Sequence, residues 1–279
     1  MKDKIQFAIT CGPRSEPFLE LLIHSIEEAE SGEHDIEYLI AVNNNAVDID
    51  QLKSIESKHP KVFFIDPPEK MYNGLNDDLS RSHGRSLTEL VSSMTAKYGV
   101  ICDVDVAFLA KDWDIKITNL LDSNNIIAGS TYRKSVKNGS IYKYSNFPCV
   151  FMSIFLVEPI QKLQIDFTPT LETKVVTKSN LHIYGEPKFD ISGPPMSRHV
   201  QLDTGHELPE KIIPAGYTGT PLETVCHGFP NSVFTKSQDL GDEFLLNGEP
   251  IATHKGRSWS RGFDPTWKKE VLKWLEKLK

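Results

Sequence analysis

Tyr98-Gly99-Val100-Ile101-Cys102-Asp103-Val104-Asp105-Val106-Ala107-Phe108 is the stretch on which the fold turns. A short apolar run ends abruptly in two carboxylates, the pattern of a strand buried on both faces. In extended chain, residues two apart point the same way, so Asp103 and Asp105 are expected to face one site at the strand's end. Two hard oxygen ligands there suit Mg2+ or Mn2+, which complete their shells with water and substrate phosphates. An ion so held would neutralise charge on a diphosphate leaving group. The spacing by itself equally fits a turn carrying two solvated acids.

Upstream of this stretch, strands and helices alternate. Ile5-Gln6-Phe7-Ala8-Ile9-Thr10 runs into Cys11-Gly12-Pro13, a strand entering a turn. Residues 16–30 place Phe18, Leu19, Leu22, Ile23 and Ile26 at helical spacing. Tyr38-Leu39-Ile40-Ala41-Val42 is a second strand, stopped by Asn43-Asn44-Asn45; residues 49–58 are helical, and Val62-Phe63-Phe64-Ile65 is a third strand. Residues 82–97 carry Leu87, Leu90, Val91 and Met94 on one face and lead into the Tyr98 strand. This β-α-β-α-β-α-β order predicts a parallel sheet with covering helices, whose ligands gather at the carboxyl ends of the strands. Those ends are Thr10-Cys11-Gly12, Asn43, Asp66 and Asp103-Val104-Asp105.

The remaining chain has another texture. After residue 130 the alternation lapses, and Pro, Gly and aromatic residues become frequent. Residues 265–279 set Trp267, Val271, Leu275 and Leu278 on one face of an amphipathic helix with lysines around it. That helix packs on the domain, or else lies on an anionic membrane surface. The expected division is a first half at 1–130 and a second at 131–279, within one continuous domain.

Composition narrows the classes. A chain of 279 residues is long enough for one large α/β domain and buries enough surface to need no disulfide or metal staple. Its 31 Lys+Arg against 38 Asp+Glu, a net charge of −7, argues against broad attraction to nucleic acid. The cysteines Cys11, Cys102, Cys149 and Cys226 are far apart with no C-x-x-C pair, which fits reduced, buried thiols. No apolar run approaches a membrane span and the first residues lack a secretory h-region, so a soluble, cytoplasmic protein without stable membrane insertion is expected.

The segment from Ile5 to about Asp114 resembles the nucleotide-sugar-dependent glycosyltransferases of the GT-A fold, the D-x-D-containing, family 2-like group. The likeness rests on the first strand with its Thr-Cys-Gly turn and the second strand ending at Asn43. It continues through the helix opening Ser82-His83-Gly84-Arg85-Ser86-Leu87, the strand with Asp103-Val104-Asp105, and Asp112-Trp113-Asp114. The resemblance implies a Rossmann-like, mixed but mainly parallel sheet flanked by helices, with an irregular acceptor-side half. By the same resemblance Thr10, Cys11, Gly12 and Asn43 would line the nucleotide-sugar pocket, with His83 and Arg85 near the nucleotide. Asp103 would touch the ribose or hold the metal, and Asp105 would ligate it.

Two segments of the second half extend the resemblance. Ala252-Thr253-His254-Lys255-Gly256-Arg257-Ser258-Trp259 is similar to the late histidine segment of these enzymes. There His254 would complete the metal site, and Lys255 or Arg257 would clamp the diphosphate. Gln201-Leu202-Asp203-Thr204-Gly205-His206-Glu207 is similar to the acidic helix start beneath the acceptor. Asp203 is then the candidate general base, with Asp190 and Glu223 in reserve, although Asp-Thr-Gly is also good helix-capping chemistry.

The expected activity is a hexosyl or pentosyl transfer that depends on Mn2+ or Mg2+, inverting because Asp203 offers a base, and non-processive because no Gln-x-x-Arg-Trp signature of processive synthases is present. The donor is a nucleoside-diphosphate sugar, a UDP-sugar first. The acceptor is a saccharide, a lipid-linked glycan or a modified nucleobase in DNA. The alternatives are a non-catalytic nucleotide- or carbohydrate-binding protein on the same scaffold, and a sugar nucleotidyltransferase. Against the last, Cys11-Gly12-Pro13-Arg14 stands where a Gly-rich, Lys-containing motif belongs.

Overall fold

The first strand already shows how the layers form. In β1 (Lys4–Cys11), Ile5, Phe7, Ile9 and Cys11 point into one hydrophobic core, and Ala8 points into another on the opposite face. A strand apolar on both faces is stable only when both faces are covered. The computed structural model describes residues 2–12, 14–42, 48–65, 79–132, 141–142, 146–176, 196–227, 241–256 and 265–279.

After β1 come α1 (Glu16–Ala29), β2 (Asp35–Val42), α2 (Ile49–Lys58), β3 (Val62–Ile65), α3 (Leu79–Ser93) and β4 (Tyr98–Asp103), in the expected order. Asp48 starts α2 by accepting the amides of Asp50 and Gln51, each at 3.1 Å. The third helix ends four residues earlier than its apolar periodicity suggests. The amides of Thr95 and Ala96 are taken at 2.8 and 3.0 Å by the Gln6 side chain of β1, which leaves no helical continuation for them.

Then follow β5 (Val106–Phe108), α4 (Trp113–Thr118), β6 (Asn125–Gly129), β7 (Ile141–Tyr142), β8 (Met152–Leu156), α5 (Val157–Lys162), β9 (Thr170–Val176), β10 (Met196–Leu202) and α6 (Glu207–Ile212). The chain closes with β11 (Thr218–Pro221), β12 (Glu223–Cys226), β13 (Asp242–Leu246), β14 (Glu249–His254) and α7 (Pro265–Leu275). A seven-stranded sheet has the order β11-β6-β8-β4-β1-β2-β3, so strands from both sides of residue 130 share it. Its β4-β1-β2-β3 part is parallel, and β8 runs antiparallel between β4 and β6. This is a Rossmann-like architecture of the GT-A type. Of the other two sheets, β7-β10-β9 is small, and β12-β13-β14-β5 is antiparallel and abuts the carboxyl end of β4.

Leu19, Leu22, Ile23 and Ile26 of α1, Leu52 and Ile55 of α2 and Trp113 of α4 fill one core. Leu87, Leu90 and Val91 of α3, Ile160 of α5 and Leu208 and Ile212 of α6 fill the other. The C-terminal helix is packed on the domain. Trp267, Val271 and Leu275 are buried against Phe18 and Leu21 of α1, and Trp274 Nε1 donates to the Leu109 carbonyl at 2.7 Å. Its apolar face is therefore covered by protein. Among the described residues no helix is long and apolar enough to cross a membrane.

Candidate metal centre

The D-x-D segment is not the extended strand that its spacing suggested. Asp103 is the last residue of β4, Val104 and Asp105 form a turn, and the chain re-enters as β5 in another sheet. Two backbone bonds draw it across: Asp103 N donates to the Phe151 carbonyl at 2.9 Å, and Lys255 N donates to the Asp105 carbonyl at 2.9 Å. The carboxylates consequently share a site through a sheet-to-sheet crossing rather than by strand alternation.

That crossing also delivers the histidine. β14 pairs antiparallel with β5, with His254 opposite Val106, one residue beyond Asp105. His254 Nε2 lies 3.2 Å from Asp105 Oδ1 and 3.6 Å from Asp103 Oδ2. Its ring stacks on Phe151 with centroids 4.6 Å apart. Among the described residues, Asp103, Asp105 and His254 form a group whose ligand atoms all lie within 4.8 Å of one another.

Burial and mutual charge both act on this group. Burial pushes the Asp103 carboxyl above the ordinary carboxylate range; the His254 charge opposes this, and Asp105 and Asp203 add to it. Burial works against a charge on His254, but Asp105 and Asp103 outweigh it and raise the imidazole to about 9. Asp103 Oδ1 and His254 Nδ1 are buried without a hydrogen-bond partner among the described residues. Asp103 and His254, each with one such atom, stand with Asp105 as two carboxylates and an imidazole, a donor set that fits a divalent ion.

Around this group stand several of the other residues singled out from sequence. Thr10 pairs with Asp103 in the β1–β4 ladder, and its Oγ1 lies 3.1 Å from His83 Nδ1. His83 sits on α3, where Gly84 lets the helix approach closely: a Cβ there would meet the Phe167 carbonyl oxygen at 2.5 Å. Burial depresses the His83 imidazole to about 4, with Asp203 and Asp105 pulling the other way. Arg85 is half-buried on the same helix. Cys11 turns its thiol into the core, where burial pushes it up to about 12, so it offers the strand's end only its backbone. Gly12 follows it, with open space where a side chain would be. Lys255 is buried next to His254. Asn43, Asp190 and Arg257 lie outside the described residues.

Asp203 is not a helix cap. The residue preceding α6 is His206, which makes no capping bond through its side chain. Asp203 Oδ2 instead accepts from the Tyr132 hydroxyl at 3.1 Å, and Oδ1 accepts from Thr204 N at 2.9 Å. Its charge reaches both His83 and Asp103. Glu223 lies exposed at the start of β12.

Two residues that sequence reasoning missed join the halves of the site. Phe151 holds the Asp103 amide with its carbonyl and stacks on His254. Its ring also meets that of Tyr132 edge-on, with centroids 5.0 Å apart, and Tyr132 holds Asp203. Neither belongs to a local motif; each lies in an irregular segment beside a strand.

No family model matches the chain, and no match is found among curated proteins. Solved structures of similar fold exist. The mannosyltransferase PcManGT from Pyrobaculum calidifontis, in complex with GDP-Man and Mn2+, is 15% identical with a TM-score of 0.44, over 73% of this chain and 57% of that one. An active-site mutant of LgtC is 13% identical with a TM-score of 0.40, over 57% of this chain and 59% of that one. S. aureus TarS in complex with UDP is 11% identical with a TM-score of 0.42, over 60% of this chain and 50% of that one. The chain thus spans between half and three fifths of the length of these structures.

Proposed function

We propose that the protein is a metal-dependent glycosyltransferase that moves a sugar from a nucleoside diphosphate to an acceptor hydroxyl, with inversion and one sugar at a time. The observation that carries this reading is the meeting of Asp103, Asp105 and His254, brought from the end of β4, the following turn and the end of β14. They meet at the carboxyl end of a parallel sheet, where ligands of such sheets bind. A divalent ion held there supplies positive charge against the departing diphosphate.

The chain's own groups supply the rest. Thr10 and the backbone of Cys11 and Gly12 are assigned to the nucleotide side, with His83 and Arg85 on α3; Asn43 is assigned there by the resemblance alone. Lys255, beside His254, and, by the resemblance alone, Arg257 are assigned to the diphosphate. Asp203, fixed by Tyr132 and by its neighbouring amide, takes the proton of the acceptor hydroxyl as that oxygen bonds to the anomeric carbon. The bond from that carbon to the diphosphate oxygen breaks, and the nucleoside diphosphate leaves with the electron pair. The donor of choice is a UDP-sugar. The acceptor is a saccharide, a lipid-linked glycan or a modified nucleobase.

The test is thermal denaturation against a panel of nucleoside diphosphates, each with Mn2+, Mg2+ or EDTA. A ligand that binds only the folded state raises the melting temperature by mass action. A shift that needs both metal and one diphosphate, and that vanishes in Asp105→Ala, supports the reading. No shift with any nucleotide removes it and leaves a non-catalytic carbohydrate-binding protein.

A further inference from the structure

The proposed centre has three protein ligands, and a fourth group stands beside it unexplained. His83 Nε2 lies 3.6 Å from Asp103 Oδ1, on the carboxylate oxygen turned away from His254. Both atoms are buried and neither has a hydrogen-bond partner among the described residues. The other ring nitrogen, Nδ1, lies 3.1 Å from Thr10 Oγ1. A histidine tethered through one nitrogen with the other left bare is the usual arrangement of a metal-ligating imidazole.

The distance itself is informative. At 3.6 Å the pair is too far apart for an N–H···O bond. A bridging water, with two bonds of about 2.8 Å at a tetrahedral angle, would hold them ~4.6 Å apart. Two ligands each roughly 2.1–2.2 Å from one ion stand ~3.0–3.6 Å apart at angles of about 90–110°. The 3.2 and 3.6 Å separations of His254 from Asp105 and Asp103 fall in the same range. The spacing of each histidine from its Asp103 oxygen is thus that of neighbouring corners of a coordination shell, while His83 stands outside the group of atoms mutually within 4.8 Å, so to share the ion its ring must move inward.

We propose that His83 is a fourth protein ligand of the cation, so that the centre comprises two carboxylates and two imidazoles and takes Mn2+ in preference to Mg2+. The inference rests on the metal reading given above and deepens it. Mg2+ is bound almost entirely through oxygen, whereas imidazole is a ligand of the transition ions. The second imidazole tips a site of two carboxylates away from Mg2+. Thr10 is then a positioning residue that orients the His83 ring.

The experiment is Mn2+ titration followed by electron paramagnetic resonance, with pulsed measurements that count directly coordinated imidazole nitrogens. The wild-type protein should show two, and His83→Gln and His254→Gln one each. His83→Gln should also weaken Mn2+ by about tenfold or more and narrow the Mn2+ to Mg2+ preference. Thr10→Val keeps both ligands and should keep both nitrogens with a smaller loss of affinity. One coordinated nitrogen in the wild type, kept in His83→Gln and lost in His254→Gln, overturns the inference and leaves the three-residue centre standing. Failure of the wild type to bind Mn2+ at all removes the metal reading, and this inference with it. The wild-type count does not depend on whether any variant folds.

Discussion

Loading the centre with Mn2+ should expel a proton, and the structure says how strongly. The imidazole of His254 is held at about 9 in the metal-free protein, against an ordinary value of 6.5. At neutral pH it is almost wholly protonated, yet only the neutral ring can ligate. Each pH unit below that value therefore costs about tenfold in apparent affinity, or ~1.4 kcal/mol. Between about pH 7 and 8 the dissociation constant for Mn2+ should fall by about tenfold. Calorimetric titration in two buffers of different ionisation enthalpy should report close to one proton released per ion at about pH 8. More is released at lower pH, where the Asp103 carboxyl, itself raised by burial, also carries a proton. The stability of the metal-free protein follows the same linkage. A folded-state value above the unfolded one stabilises fully below about 6.5, and the contribution is lost as the pH rises through about 9. The difference of about 2.5 units amounts to roughly 3 kcal/mol. A Mn2+ affinity equal at both pH values with no proton released would refute the assignment of His254 as the ligand displaced from its proton.

Other substitutions probe the parts separately. Tyr132→Phe keeps the ring against Phe151 and removes the hydroxyl that holds Asp203. It should lower kcat for transfer about tenfold while leaving the donor's KM and Mn2+ affinity near wild type, and should add nothing in an Asp203→Asn background. Gly84→Ala puts a methyl 2.5 Å from the Phe167 carbonyl oxygen, and urea denaturation should show a loss of about 1–3 kcal/mol. Trp267→Ala empties the contact of α7 with Phe18 and Leu21, with an expected cost of about 3–5 kcal/mol. Asp114 accepts from Ser31 N, Ser31 Oγ and His34 Nδ1 at 2.8, 2.6 and 2.7 Å. Burial opposes its charge, but these bonds outweigh burial and hold it below its ordinary value. Its contribution is therefore present above about pH 4 and lost on acidification, and Asp114→Ala should cost about 3 kcal/mol at neutral pH and flatten that acid loss.

The parallel half of the sheet was legible because each of its strands carries its own signal. Ile5, Phe7 and Ile9 on one face with Ala8 on the other, and the near-continuous run through Val100 to Cys102, need no partner to be recognised. The end of α3 was not legible, because Gln6, almost ninety residues earlier, takes the amides that close it. Asp103, Asp105 and His254 could be nominated from their motifs and the resemblance, but the reason offered for the carboxylates facing one site, strand alternation, was wrong. A turn between two sheets aligns them. The Asp203 segment could be read as base or cap, and the start of α6 after His206 is what sets the Asp203 cap aside.

By itself, then, the order of apolar runs determined a doubly covered sheet and placed its carboxyl-end turns on one edge, since burial on both faces is a property of each strand's own composition. Which side chains meet at that edge was decided in three dimensions. His254 reaches Asp105 because β14 pairs with β5, and His83 reaches Asp103 because α3 lies over the β1–β4 pair. Contacts of this kind are formed by residues far apart in the chain, and no local periodicity records them.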